Sequence, residues 1–260
     1  MSGLLSNLRT QYSRREESFL STAGEGAVRD LVNEWKLCDT SGINRKAPLR
    51  FGNLLAILER WDLSRLDQLM RAAMLATSVQ LLLRTAEITG GLQAMHFIWH
   101  RQTRQVSIFL GATKTCRRQS VWVTLSDTTH RISAYKLLWR EWEARDLDNH
   151  PTEYVFCQIT STGALRPSVP LGESGFRRLI KRGVASIGLD VTRFSGHSAR
   201  AGGATDLFAA GVPYYVIKKY GRWTSDTALI YYRCETSVAA AAAVAFGNNY
   251  FEQPTLLAMG

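Results

Sequence analysis

The chain has 260 residues, a formal net charge of +10 at pH 7 and a pI of about 9.7. Its 45% hydrophobic content is enough for one large domain or a domain with an appendage, and its basic excess suits a polyanionic partner, because Lys and Arg release counterions from a phosphate backbone. The four cysteines, at 38, 116, 157 and 234, lack metal-ligand spacing, and the chain shows neither a membrane-length apolar run nor a signal-peptide pattern, so reduced thiols in an intracellular protein with no membrane partner are expected.

Residues 1–22 are polar, and Gly24 and Gly26 separate them from the first periodic segment. That segment, AVRDLVNEWKL (27–37), has helical spacing, and a loop, CDTSGINRKAP, ends at Pro48. LRFGNLLAILERW (49–61) and LDQLMRAAMLATSVQLLL (67–83) read as two helices, amphipathic to buried. The second runs into Leu83-Arg84-Thr85-Ala86-Glu87-Ile88, ahead of Gly90-Gly91. An Arg near the end of an apolar helix needs a partner, and Glu87, three residues on, supplies one. Three runs rich in β-branched and aromatic residues come next, AMHFIWH (94–100), QVSIFLGA (105–112) and QSVWVTL (119–125), and Thr113-Lys114-Thr115 lies between the last two.

ISAYKLLWREWEA (132–144) is expected to be an amphipathic helix with Trp139 and Trp142 on or near its apolar face. Tyr154–Cys157 reads as a short strand or extended link. GESGFRRLIKRGVASIG (172–188) is a helix with Arg177, Arg178, Lys181 and Arg182 on its surface. The stretch Ser195–Arg233 is the most informative: SGHSARAGGATDLFAAGVPYYVIKKYGRWTSDTALIYYR. His197 and Arg200 share a helix face, and a cap at Ser195 or Gly196 would set both near a helix N-terminus, where anions are favoured. Pro213 and Gly221 are breaks, then come Trp223 and the pair Tyr231-Tyr232. Beyond Tyr232 an Ala-rich helix is expected.

His197-Ser198-Ala199-Arg200, then Trp223, then Tyr231 or Tyr232 resembles the C-terminal signature of the tyrosine recombinases, the phage-integrase superfamily. GHSARAGGATDLFAAGV is similar to the Cre-like branch, and GRWTSD…YYR to the recombinases of DIRS-type retrotransposons. LLRTAEI resembles the family's first catalytic segment, and Lys114 matches the hairpin position of its catalytic Lys. The resemblance implies a mainly α fold with a small three-stranded antiparallel sheet, the catalytic-domain fold of that family, over residues 46–260. It also implies that residues 1–45 are the helical remnant of a DNA-clamping domain, or a linker. The implied activity is DNA cleavage and rejoining through a 3′-phosphotyrosine, in site-specific recombination or integration of a mobile element. A catalytically retired DNA-binding protein and a type IB topoisomerase-like enzyme are the alternatives.

In that chemistry, Arg84 and Arg200 supply fixed positive donors to the non-bridging oxygens of the phosphate. His197 and the indole N–H of Trp223 add hydrogen bonds, and His197 helps to move the Tyr proton. Lys114 protonates the departing 5′-oxygen, and Glu87 orients the Arg84 cluster. Neither a cofactor nor a metal is expected. Arg177, Arg178, Lys181 and Arg182 are expected to contact the phosphates of double-stranded DNA, on which copies of the chain associate. The work would fall in the nucleus of a eukaryote, or in the cytoplasm or nucleoid of a bacterium. In the Cre-like register the nucleophile is Tyr232, nine residues after Trp223; in the DIRS-type wording, which is favoured, it is Tyr231.

Overall fold

The structure, a computed structural model, describes residues 46–111, 120–130 and 132–231, with the backbone alone for 229–231. The helices expected at 27–37 and beyond Tyr232 lie outside those residues. In chain order the described elements are α1 (Phe51–Leu58), α2 (Leu66–Gln80), a single turn α3 (Thr85–Ile88), β1 (Phe97–His100), β2 (Gln105–Leu110), β3 (Val121–Ser126), α4 (Ala134–Ala144), β4 (Cys157–Ile159), β5 (Leu165–Pro170), α5 (Glu173–Ser186), α6 (Ser198–Ala209) and α7 (Tyr214–Tyr220). Short 3₁₀ turns cover Ala94–His96, Val191–Arg193 and Asp226–Tyr231.

The core forms around α2, which is buried continuously from Leu69 to Val79 apart from Arg71. A helix apolar on nearly all sides must be surrounded, and α1, α4 and α6 pack against it. β1, β2 and β3 form the expected three-stranded antiparallel sheet, with β2 central. Val106, Ile108 and Leu110 alternate inward along β2, as a half-buried strand requires. The sheet meets α4 through an aromatic cluster. Trp99 stands edge-on to Trp139, with centroids 4.8 Å apart, and to Tyr135 and Trp142 at 5.4 Å each.

The 154–170 region differs from the expectation of a lone strand or link. Cys157–Ile159 pairs antiparallel with Leu165–Pro170, making a second, two-stranded sheet. Its turn closes at Gly163, whose φ is +91°; Thr160-Ser-Thr-Gly163 is the sequence signal for it.

Behind that hairpin lies a buried ionic group. Arg145, 4% exposed in its side chain, donates to Glu141 Oε1 at 2.8 Å and to the Val155 carbonyl at 2.7 Å. It also donates to the Tyr154 carbonyl at 2.9 Å and Glu153 Oε2 at 3.2 Å. Burial pushes the Glu141 carboxyl up to about 7, against the pull of Arg145. A carboxyl raised in the fold contributes stability that is full below its unfolded value near 4.3 and is lost as pH rises through about 7. Glu141→Gln removes that loss and keeps an acceptor for Arg145. Thermal unfolding at pH 8 is expected to show the variant at least as stable as the unaltered chain, by up to about 3 kcal/mol, with little difference at pH 5. A clear loss at pH 8 would mean that the ion pair is net stabilising.

Candidate active site

Two helices end at this site with side chains where glycine is usual. α2 closes through Leu82 at φ +49° and α7 through Arg222 at φ +58°. At the first, Leu83 N–H donates to the Ser78 carbonyl at 3.0 Å and Leu82 N–H to Val79 at 3.3 Å. At the second, Trp223 N–H donates to Lys218 and Arg222 N–H to Lys219, both at 3.0 Å. This left-handed closure favours glycine, and α5 and α6 use Gly188 and Gly211 for it. A side chain there costs roughly 1–2 kcal/mol. The break after α7 was expected at Gly221; Gly221 has φ −76°, and the left-handed residue is Arg222.

The reversal after α2 delivers Arg84 and Glu87. Glu87 Oε2 accepts the Arg84 backbone N–H at 2.7 Å, and Oε1 accepts Arg84 Nη1 at 2.7 Å. Arg222 Nη2 reaches the same carboxylate, at 2.9 Å from Oε2. Burial alone would raise the Glu87 pKa; the Arg222 charge, the Arg84 N–H and the Arg84 guanidinium outweigh it and hold the carboxyl below the usual value. Glu87 is therefore ionised, and one carboxylate serves two guanidinium groups.

Arg200 arrives from a distant segment. α6 is buried from Ser198 to Thr205 because its middle is built of small residues. A Cβ on Gly202 would lie 1.8 Å from the Leu49 carbonyl oxygen, and one on Gly203 would lie 2.2 Å from that of Val79. The helix thus slides between the 46–50 segment and the end of α2. Asp206 pins it there, accepting from Arg50 Nε and from the Phe51 N–H at the start of α1, both at 2.6 Å. Arg200, 3% exposed, donates to the carbonyls of Leu82 and Gly221, the latter at 2.6 Å. Its guanidinium lies 3.8 Å from the Trp223 ring centroid, a cation–π contact. Arg84 Nη2 donates to the very next carbonyl, Arg222, at 3.1 Å. Arg84 and Arg200 are thus held side by side on consecutive peptides of one turn. Gly221 is needed beneath the indole, since a Cβ would lie 1.5 Å from Trp223 Cζ3.

His197 is exposed and is the cap residue of α6, which begins at Ser198; the cap expected from the sequence, Ser195 or Gly196, lies one or two residues earlier. It lines a cleft of about 290 Å³ together with Arg84, Thr85, Glu173, Arg177 and Gly196. The expected phosphate contacts Arg177, Arg178, Lys181 and Arg182 are all exposed on α5, whose other face buries Phe176, Leu179, Ile180 and Val184. Arg177 alone of the four lines the cleft, where it pairs with Glu173 at 3.3 Å. Lys114 and Tyr232 lie outside the described residues. The Tyr231 backbone ends the 3₁₀ turn that begins at Asp226. Asp226 ties that turn to α7, accepting from Tyr214 Oη and Lys218 Nζ at 2.6 Å each.

Sequence reasoning misses Leu82 and Arg222. An Arg beside a Gly and a Trp looks like a solvated turn residue; the signal available is that Gly-Arg-Trp comes directly after α7, where a left-handed residue is due.

A mainly helical domain with a small antiparallel sheet, carrying this arrangement of Arg, Glu, His, Arg and Trp, is the tyrosine recombinase catalytic fold. The phage integrase family model matches residues 50–237, and the chain belongs to that family. Recombinase cre of Escherichia phage P1 is 27% identical over 191 residues, 70% of this chain and 53% of the relative. The chain therefore spans about half the length of the curated relative it matches. Among solved structures, the XerH site-specific recombinase bound to palindromic difH substrate, a post-cleavage complex, is similar with a TM-score of 0.56 at 15% identity, covering 80% of this chain and 56% of that one. XerA recombinase is similar with a TM-score of 0.53 at 14% identity, covering 83% and 67% respectively. These likenesses show the fold. Among the described residues, no helix is long and apolar enough to cross a membrane.

Proposed function

We propose that this protein cleaves and rejoins double-stranded DNA through a 3′-phosphotyrosine, as a recombinase or integrase of a mobile element. The observation that carries this reading is the pairing of Arg84 and Arg200 on consecutive carbonyls, with Glu87 and Trp223 beside them. The residues come from positions 84, 200 and 223, and a surface ion pair has no reason to gather them.

The scissile phosphodiester gains negative charge as it is attacked. Arg84 and Arg200 would meet its non-bridging oxygens with charged, planar donors. Trp223 Nε1–H and His197 would add hydrogen bonds, and preorganised donors of this kind contribute roughly 3 kcal/mol each at comparable oxyanion sites. The Tyr231 oxygen attacks phosphorus as its proton passes to His197. The bond from phosphorus to the 5′-oxygen breaks, and Lys114 gives that oxygen a proton. The tyrosyl ester keeps the bond energy, so rejoining is the same sequence in reverse. Arg177, Arg178, Lys181 and Arg182 position the duplex by its backbone. Residues 46–260 form the catalytic domain and 1–45 a clamping remnant or linker. The hydrogen bonds from Ala47 N–H to Arg193 and from Leu49 N–H to Ser198 support the first of these boundaries. Copies associate on DNA, which light scattering with and without duplex would register. The work belongs where the cell keeps its DNA.

A suicide duplex, nicked so that the 5′-hydroxyl fragment diffuses away, tests the reading. A denaturing gel should show a covalent adduct that maps to the peptide holding Tyr231. Duplex binding without any adduct would leave a DNA-binding protein, and relaxation of supercoiled plasmid at random sites would favour the topoisomerase-like alternative.

A further inference from the structure

Arg222 belongs to neither the catalytic set read from the sequence nor the donors assigned above, yet the fold holds it firmly. Its side chain is 15% exposed. Nη1 donates to the carbonyls of Leu81 at 3.3 Å and Tyr220 at 3.1 Å, and Nη2 reaches Glu87 Oε2 at 2.9 Å. These partners belong to three places: the end of α2, the end of α7 and the α3 turn. Its backbone is left-handed, at the position where glycine would be relaxed. An expensive residue in a glycine position, with its charge buried against a carboxylate, calls for a reason beyond closing a helix.

We propose that Arg222 is a positioning residue: its guanidinium latches the 220–223 turn to Glu87, fixing the turn that carries Trp223 and the two carbonyls bonded by Arg84 and Arg200. Apart from the latch, Arg84 itself ties the turn to α3, and Arg84 is the group that has to present donors to a phosphate. Arg222 takes that task over, and Glu87 becomes the common anchor of a working Arg and a holding one. The consequence for reaction rests on the recombinase reading above; the consequence for the mobility of the two turns does not.

Two substitutions test it. Arg222→Gly relaxes the backbone and removes the latch, while Arg222→Lys keeps the charge on a group that cannot reach Glu87, Leu81 and Tyr220 together. In single-turnover cleavage of a suicide duplex, Arg222→Gly is expected to be slower by roughly 10- to 100-fold, with nearly unchanged duplex affinity, and Arg222→Lys to fall between. The double variant with Glu87→Gln should be no slower than the worse single variant, because both cut the same tie. Hydrogen exchange of the peptides covering 81–90 and 218–226 should be several-fold faster in Arg222→Gly. This last readout needs no chemistry, so it holds even if the unaltered protein proves not to cleave DNA. Unchanged exchange, cleavage at the unaltered rate, or rate losses that multiply in the double variant would each overturn the latch. If Arg222→Gly does not fold, the same three measurements on Arg222→Lys decide.

Discussion

Tyr231→Phe is expected to abolish covalent capture of DNA while leaving duplex binding nearly intact. The change deletes one hydroxyl and no charge, and the cations proposed to meet the phosphate backbone stay in place. Tyr231 is favoured over its neighbour by the Gly221-Arg222-Trp223-Thr224-Ser225-Asp226 wording, which continues without a gap to Tyr231 and Arg233. Asp226 fastens the start of the 3₁₀ turn to Lys218 and Tyr214, and Tyr231 closes that same turn. Neighbours on a helix point about 100° apart, so one of the two tyrosines and not both is expected to face the phosphate. Tyr232→Phe should accordingly retain capture. Peptide mapping of the trapped adduct checks both statements, and an adduct surviving in Tyr231→Phe would transfer the role to Tyr232.

Gly202→Ala should lower the melting temperature sharply. The new methyl would meet backbone, not a pliant side chain: 1.8 Å from the Leu49 oxygen, 2.3 Å from the Leu49 carbon and 3.0 Å from the Arg50 nitrogen. α6 can escape only by withdrawing from the 46–50 segment, which strains the Asp206 bonds and moves Arg200. Overpacking of this kind costs roughly 3 kcal/mol, or about 6–12 °C for a domain of this size. Gly52→Ala is the matched control. It lies in α1 with nothing within 4 Å of its added Cβ, so it should be neutral or slightly stabilising. Circular-dichroism melts of both variants decide the matter, and equal melting temperatures would show that α6 is not wedged as described.

The contrast between those two glycines shows what periodicity conveys. α2, α4 and α5 stand close to where their apolar spacing puts them, because each has a face to bury and a long enough run to reveal it. The three-stranded sheet is legible for the same reason, in β-branched and aromatic runs. β4 and β5 are not. Leu165-Arg-Pro-Ser-Val-Pro170 has two prolines and little apolar bulk, and it is a strand only because it borders Cys157–Ile159. In the site, Arg84, Glu87, Arg200 and Trp223 carry the family wording and can be picked out by type. Leu82 and Arg222 cannot: what they contribute depends on a left-handed backbone, which the sequence signals by a place just past a helix end and not by side-chain type.

The helix endings at Leu82 and Arg222 also decide how the guanidinium groups of the site are held. Arg200 is held by carbonyls at the ends of α2 and α7 and by an indole face, and Arg84 shares the Glu87 carboxylate with Arg222. Carbonyl oxygens at a helix C-terminus attract a cation through their dipoles but carry no net charge and do not titrate. They orient a guanidinium in the same way at any pH. A phosphate arriving at the site would therefore meet an Arg200 whose orientation by these carbonyls does not change as nearby acids titrate. Capture by such a cradle should weaken steeply as salt is added, yet hold nearly level across the pH range in which Glu87 stays ionised.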